Sequence, residues 1–180
     1  MSRIPLIQPE TATPAAAELL NGVQKAMGVT PNMTKAMVNS PAVLKGYLAF
    51  SGALASGELR PEVRERIALL AAQENECDYC LSAHTYIATK VTKLDQGEVE
   101  QARHGKSADP QADAALSLAA AVLRSRGDVT DGDVVAAREA GLSDAEIAEI
   151  IAAVSLSIFT NYFNKAVGTD LDWPEVRHDQ

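Results

Sequence analysis

Cysteine is nearly absent from this 180-residue chain: there are two, Cys77 and Cys80. That scarcity excludes a disulfide-stapled secreted scaffold. A bridge between the two would close so short a loop that it would add little stability. Aromatic residues are only 4% of the chain, and no strand-type alternation of apolar and polar residues recurs, which removes the pattern of a β-sandwich or barrel. Positive charge is not in excess. With 16 Lys and Arg against 24 Asp and Glu, the formal net charge is −8, which argues against nucleic acid or an anionic membrane as the main partner. No uninterrupted apolar run reaches the roughly 18 residues of a membrane span. Met1 to Glu10 lacks the charged and apolar blocks of a secretory leader, so the expected location is the cytoplasm. In that compartment a close cysteine pair reads as redox or metal chemistry.

What the chain does have is Ala, Leu, Ile and Val within a hydrophobic content of 47%, and Ala and Leu favour helix. The expected fold is all-α. The length fits one domain able to bury its own core: residues 1–40 as an N-terminal helical extension, 41–106 as a core with the cysteine pair, and 107–180 as a second helical half and tail. Punctuation marks the helices. The first runs from Pro14 to Met27 and stops at Gly28. A short one covers Met33 to Val38. Ser40 then caps a helix from Pro41 to about Ala55. Pro61 opens a helix whose run Ile67-Ala68-Leu69-Leu70-Ala71-Ala72 is apolar on nearly every side and so central. Gln73 to Glu76 breaks it, and a further helix carries Cys77 to about Thr89. Others are expected over Leu94–Arg103, from Asp109-Pro110 to about Arg126, and from Thr130 to before Gly141. Ser143 and Glu146 make a capping box for a helix from Asp144 to about Val167, ended by Gly168. The tail from Thr169 to Gln180 is free to pack on a neighbour. An echo at a shift of 83 positions pairs Leu59 with Leu142, Ile67 with Ile150 and Tyr79 with Tyr162. It reads either as an old duplication or as two helices with similar caps.

The chemistry concentrates in Glu76-Cys77-Asp78-Tyr79-Cys80-Leu81-Ser82-Ala83-His84. On a helix Cys77, Cys80 and His84 share one stripe. At a helix start Cys77 would lie beside free backbone N–H groups and the positive end of the dipole, which favour thiolate. His84 can take a thiol proton or stand as a cation beside the thiolate. A thiolate that attacks a peroxide oxygen becomes a sulfenic acid, and a second thiol condenses with it to a disulfide. The leaving oxygen needs a proton, and His84 and Tyr79 are candidate donors. Glu65, on the preceding helix, shares a stripe with Leu69 and Ala72. It could shuttle protons if those two helices fold back on each other.

The set Glu65, Cys77, Cys80 and His84, with the core Cys-Asp-Tyr-Cys-Leu-Ser-Ala-His, resembles the alkylhydroperoxidase D-like (AhpD-like) family. That family belongs to the carboxymuconolactone decarboxylase superfamily, and the likeness is to its peroxidase-related branch. Pro31-Asn32, Ser40-Pro41, Asn161-Tyr162-Phe163-Asn164, Thr169, Asp172 and Pro174 extend it over nearly the whole chain. The resemblance implies an all-helical fold, a peroxidase or disulfide reductase acting on hydroperoxides or disulfides, and a homo-oligomer, trimer or hexamer. It implies no bound cofactor. The electron donor would be an external thiol, and the family's reductant can be a lipoyl-bearing protein. It assigns Cys80 as the peroxidatic cysteine, Cys77 as its resolving partner, and His84 and Glu65 as the proton relay. Where the best-studied type has a second histidine immediately before the second cysteine, this chain has Tyr79. The decarboxylase relatives lack the cysteine pair, which argues against decarboxylation here.

Other readings compete. Cys77, Cys80 and His84 could be three ligands of a zinc site whose fourth would be His104, His178 or a carboxylate; no metal is the expectation. The pair could serve a non-enzymatic redox sensor, or be inert buried thiols. An acid–base enzyme with dispensable cysteines leaves their spacing unexplained. Glu65, among Glu62, Arg64 and Arg66, could belong to a surface ion-pair cluster, which contributes roughly 0–1 kcal/mol per pair. Asn161 and Asn164 read as helix-face or interface hydrogen-bonders.

Overall fold

Nine α-helices and no strand form among residues 1–179, the residues described by this computed structural model. They are α1 (Pro14–Met27), α2 (Asn32–Met37), α3 (Pro41–Ala55), α4 (Pro61–Glu74), α5 (Asp78–Lys90), α6 (Gln96–Arg103), α7 (Pro110–Ser125), α8 (Asp131–Glu139) and α9 (Asp144–Val167). The capping chemistry explains most boundaries. Thr130 with Asp133 and Ser143 with Glu146 form reciprocal capping boxes at α8 and α9. Asp109 accepts from the N–H groups of Gln111 and Ala112 at α7. Gly28 and Gly168 take the left-handed conformation that ends α1 and α9, with φ of 76° and 64°.

Three local expectations need correction. Ser40 occupies the N-cap of α3, but its side chain makes no capping hydrogen bond. The helix expected from Leu94 starts at Gln96, because the Asp95 carboxylate accepts from Glu98 N–H and fixes the cap there. The helix expected from Met33 starts at Asn32, since Pro31 is already its N-cap.

The molecule is organised around α4. It packs on α5, α6, α7 and α9, and Ile67, Leu69, Leu70, Ala71 and Ala72 are fully buried. Truncating one such leucine to alanine typically costs about 2–5 kcal/mol. Arg66 is buried with them and forks onto the Glu98 carboxylate at 2.9 and 2.7 Å. A smaller cluster of Leu20, Met37 and Leu44 joins α1, α2 and α3, with Phe163 of α9 packed against it. By length and composition α9, at 24 residues, could cross a membrane. Here it is a core helix in contact with α3, α4, α5, α7 and α8.

The echo between the two halves holds at the helix entries and then fails. Leu59 and Leu142 are buried before α4 and α9, as are Ile67 and Ile150 within them. Beyond that point α4 breaks and α5 begins, whereas α9 runs on; Tyr79 is buried and Tyr162 is exposed.

Both chain ends tie down the site. Arg3 N–H donates to the Val167 carbonyl at 2.7 Å, and Ser2 N–H to Asp170 at 3.0 Å. The C-terminal segment lies along α5 of its own chain. Val176 N–H donates to the Ser82 hydroxyl at 2.9 Å, and His178 N–H to the Asp78 carboxylate at 2.9 Å. Gln180, the end of the expected tail, lies outside the described residues.

Candidate active site

The break between α4 and α5 sets the site. Asn75 ends α4, Glu76 takes a left-handed conformation with φ of 53°, and Cys77 N–H donates to the Ala72 carbonyl at 2.9 Å. This tight reversal makes Cys77 the N-cap of α5, where its sulfur accepts from Cys80 N–H at 3.3 Å. Both cysteines are free thiols and buried.

Their environments differ in sign. Burial disfavours the Cys80 thiolate. The Cys77 thiol, the Asn164 amide, the His84 charge and the Asn161 amide outweigh it and bring the thiol down to about 7. The Cys77 thiol is pushed well up, first by its hydrogen bond to Cys80 and then by burial. The dipole and N–H groups expected to favour a thiolate at Cys77 are present, but Cys80 takes the negative charge, because Cys77 can donate to it and Cys80 has further donors on α9. Of these, Asn164 Nδ2 donates to the Cys80 sulfur at 3.3 Å and lies 3.2 Å from the Met33 sulfur.

His84 stands one helical turn after Cys80. Its Nδ1 meets Glu65 Oε2 at 2.8 Å, with side-chain exposures of 26% and 18%. Burial works against a charged ring, but Glu65 and the Cys80 sulfur raise its pKa nonetheless. Packing of α4 on α5 therefore brings together Glu65, Cys77, Cys80 and His84. Glu65 is no part of a surface ion-pair cluster: Arg66 turns inward to Glu98 while Glu65 turns to His84.

Tyr79 lines the same cavity but is engaged elsewhere. Its hydroxyl donates to Asp172 Oδ2 at 2.6 Å and accepts from Met33 N–H at 3.1 Å. Trp173 packs edge-on against the ring, with centroids 5.6 Å apart. Burial, then the Asp172 carboxylate, pushes the phenol far up. Its proton is committed, so the geometry makes Tyr79 a positioning residue rather than the general acid the sequence suggested. His104 and His178 are not brought to the cysteines; they pair with Glu100 and Asp78 respectively.

Asn161 and Asn164 present one face of α9 to the cysteines, and each is nearly completely buried. Asn161 Oδ1 accepts from Asn75 Nδ2 at 2.9 Å. Among the described residues Asn164 Oδ1 has no hydrogen-bond partner, and Asn161 Nδ2 acts on the Cys80 sulfur only from outside hydrogen-bonding geometry. The sequence signal for them is two amides three apart in residues 150–164 of α9, a stretch with no charge, since buried amides need partners. Tyr47 of α3 also lines the cavity, and nothing in its sequence neighbourhood marks it.

The cavity has a volume of about 290 Å³, at the lower end of small-ligand pockets. Met27, Met33, Leu54, Ile87, Leu156 and Trp173 supply apolar wall, and Arg64, Glu65, Cys80, His84 and Asn164 also line it. The arrangement provides an activated thiol, a second thiol beside it, a proton carrier and an apolar site for an organic molecule.

Residues 41–121 match the carboxymuconolactone decarboxylase family. Among curated proteins none matches the chain. The whole fold is similar to an alkylhydroperoxidase AhpD core, an uncharacterized peroxidase-related protein from Ralstonia eutropha JMP134. The TM-score is 0.85 at 24% identity, over 95% of this chain and 92% of that one. An uncharacterized peroxidase-related protein from Silicibacter sp. TM1040 gives a TM-score of 0.80 at 24% identity, over 94% and 91%. A cysteine-to-alanine variant of the debrominase Bmp8, in complex with 2,3,4-tribromopyrrole, gives 0.78 at 21% identity, over 96% and 94%. At these identities the likeness establishes the fold.

Proposed function

We propose that this chain, an AhpD-like member of the carboxymuconolactone decarboxylase superfamily, is a cysteine-dependent peroxidase that reduces organic hydroperoxides and is recharged by an external dithiol. The observation that carries the reading is the asymmetry of the thiols. Cys80, with a pKa near 7, faces an apolar cavity, and the protonated Cys77 waits beside it. The Cys80 thiolate attacks the distal peroxide oxygen, the O–O bond breaks, and the alkoxide leaves as alcohol after taking a proton from His84, which Glu65 holds in place. Cys80 is then a sulfenic acid. Cys77 attacks its sulfur, the S–O bond breaks, and the displaced hydroxide leaves as water with the Cys77 proton. Hydroperoxide and two thiols become alcohol, water and a disulfide. A dithiol donor, such as a lipoyl group carried on a protein, reduces that disulfide by exchange.

A second copy of the chain fits α3. This helix carries one charged residue, Lys45, and buries only Leu44 among its fifteen residues. It leaves Phe50 exposed next to α9, which exposes Ile151 and Phe159. Apolar surface of this kind marks an association face, and the proposed assembly is a homo-oligomer.

The Bmp8 likeness favours one further substrate type for the same thiols. A halogenated ring held by Tyr47 and Trp173 could give up its halogen to Cys80. Cys77 would then displace halide to form the disulfide, while His84 protonates the ring carbon. Halide release separates this reaction from peroxide reduction.

The test is intact mass of the reduced protein before and after one equivalent of cumene hydroperoxide. Loss of two hydrogens per chain, absent in Cys77→Ser and Cys80→Ser, is expected. Unchanged mass with both thiols free overturns the peroxidase reading.

A further inference from the structure

Arg64 is the unabsorbed charge of the cavity. It sits in the second turn of α4, immediately before Glu65, half-buried and lining the same space as Cys80 and His84. Its guanidinium reaches back to the Leu59 carbonyl. Among the described residues no carboxylate lies within ion-pair distance of it. Three nearby charged side chains are already paired: Glu65 faces His84 at 2.8 Å, Arg60 holds Asp109 at 2.8 Å, and Arg66 holds Glu98 at 2.7 Å. Arg3 and Arg126 also lack a carboxylate, but both are exposed and neither borders the cavity.

A guanidinium at the wall of a partly open cavity can receive an anion. It has five donors in a rigid fork, and one carbonyl cannot use them all. A carboxylate matches that fork through two parallel hydrogen bonds. The overall charge of −8 supplies no long-range attraction for an anion, so any preference must be made locally at this one group. The cavity walls also include Leu54, Ala68, Ala83 and Ile87, which suit a hydrocarbon body rather than a second polar group.

We propose that the cavity selects organic molecules carrying a carboxylate, with Arg64 holding the anion, the apolar walls holding the body, and the reactive end reaching Cys80. Resting on the peroxidase reading above, this names the preferred substrate class as carboxylated hydroperoxides of modest size rather than hydrogen peroxide or neutral alkyl hydroperoxides. The redox step is unchanged; Arg64 contributes binding and orientation.

The experiment is equilibrium binding of 4-isopropylbenzoate and of its neutral counterpart 4-isopropylbenzamide to the reduced protein, followed by the fluorescence of Trp173, the single tryptophan of the chain and part of the cavity wall. The expected result is about tenfold tighter binding of the carboxylate, the scale of a charge-assisted bidentate contact. The preference should fall towards unity in Arg64→Gln and survive in part in Arg64→Lys, with helical circular dichroism reporting that each variant folds. Equal affinity for the two ligands in the unaltered protein, or no binding of either, overturns the proposal without reference to any variant. Consumption of 4-carboxycumene hydroperoxide by the same preparation reports separately on the peroxidase reading. If the carboxylate preference is found where hydroperoxide is left intact, the anion site stands and the peroxidase chemistry fails.

Discussion

Cys77 and Cys80 are the same residue type on the same helix, both buried, yet they behave oppositely. The turn around Cys77 offers one N–H donor, from Cys80, and the Cys77 thiol gives its own proton towards Cys80. The pocket around Cys80 adds the Asn164 amide from α9 and the His84–Glu65 pair from α5 and α4. A buried thiolate forms where several elements converge donors on one sulfur, and not simply where a helix begins. The helix start contributes, but here the groups that converge on Cys80, the Cys77 thiol first and Asn164 of α9 next, decide which sulfur is charged.

The sharpest break in the comparison is to remove each sulfur in turn. Cys80→Ser is expected to abolish hydroperoxide consumption. Cys77→Ser should consume a single equivalent and stop with one oxygen added to the protein, seen by intact mass. Equal residual activity in both variants would mean that the two sulfurs are interchangeable.

Removing the donor from α9 comes next. A hydrogen bond to an ionised group contributes about 1.5–3 kcal/mol, so Asn164→Leu should raise the midpoint for iodoacetamide alkylation of Cys80 by about 1–2 pH units from its value near 7. An unchanged midpoint would leave Cys77 and His84 as sufficient causes.

Glu65→Gln acts at one remove. The His84 pKa is raised in the folded protein, so the stability from the His84–Glu65 pair is fully present below the unfolded value of about 6.5 and is lost as pH rises through the folded value. The gap in thermal midpoint between the unaltered protein and Glu65→Gln should therefore be widest near pH 6 and narrow towards alkaline pH. A gap that widens with pH would reverse the assignment. The Cys80 thiolate has the opposite sign, since a lowered thiol pKa stabilises above the unfolded value and the contribution fades as pH falls towards 7. Comparing the two proteins at each pH isolates the histidine.

The smallest effect on chemistry is expected from Tyr79→Phe. It removes hydrogen bonds to Asp172 and Met33, about 1–3 kcal/mol of stability, which lowers Tm by roughly 2–4 °C per kcal/mol in a chain of this size. The Cys80 alkylation midpoint should stay where it was. A shifted midpoint with an unshifted Tm would return Tyr79 to the proton relay.

Much of the architecture could be read from local signals. The Ser143–Glu146 box, the Asp109-Pro110 start and the Gly28 and Gly168 stops act within a few residues of chain, so their physics is contained in the sequence. The burial of α4 also followed from its composition, because a helix apolar on every side has no face to give to water. The same reasoning did not extend to α3, which carries fewer charges than α4 and yet lies largely uncovered within one chain. Composition states that a surface needs a partner; it does not supply one.

By itself, the sequence determined that the chain is helical, where most helices begin and end, and that Cys77, Cys80 and His84 share a stripe, because helical periodicity and capping are short-range. Only tertiary structure gives the reason that Cys80 rather than Cys77 holds the charge, ties Tyr79 to Asp172, and brings Asn164 and Arg64 to the cavity. Each of these depends on groups from separate helices, or from the tail, meeting at one point, and the electrostatics of a buried atom are set by what converges on it, however distant in the chain.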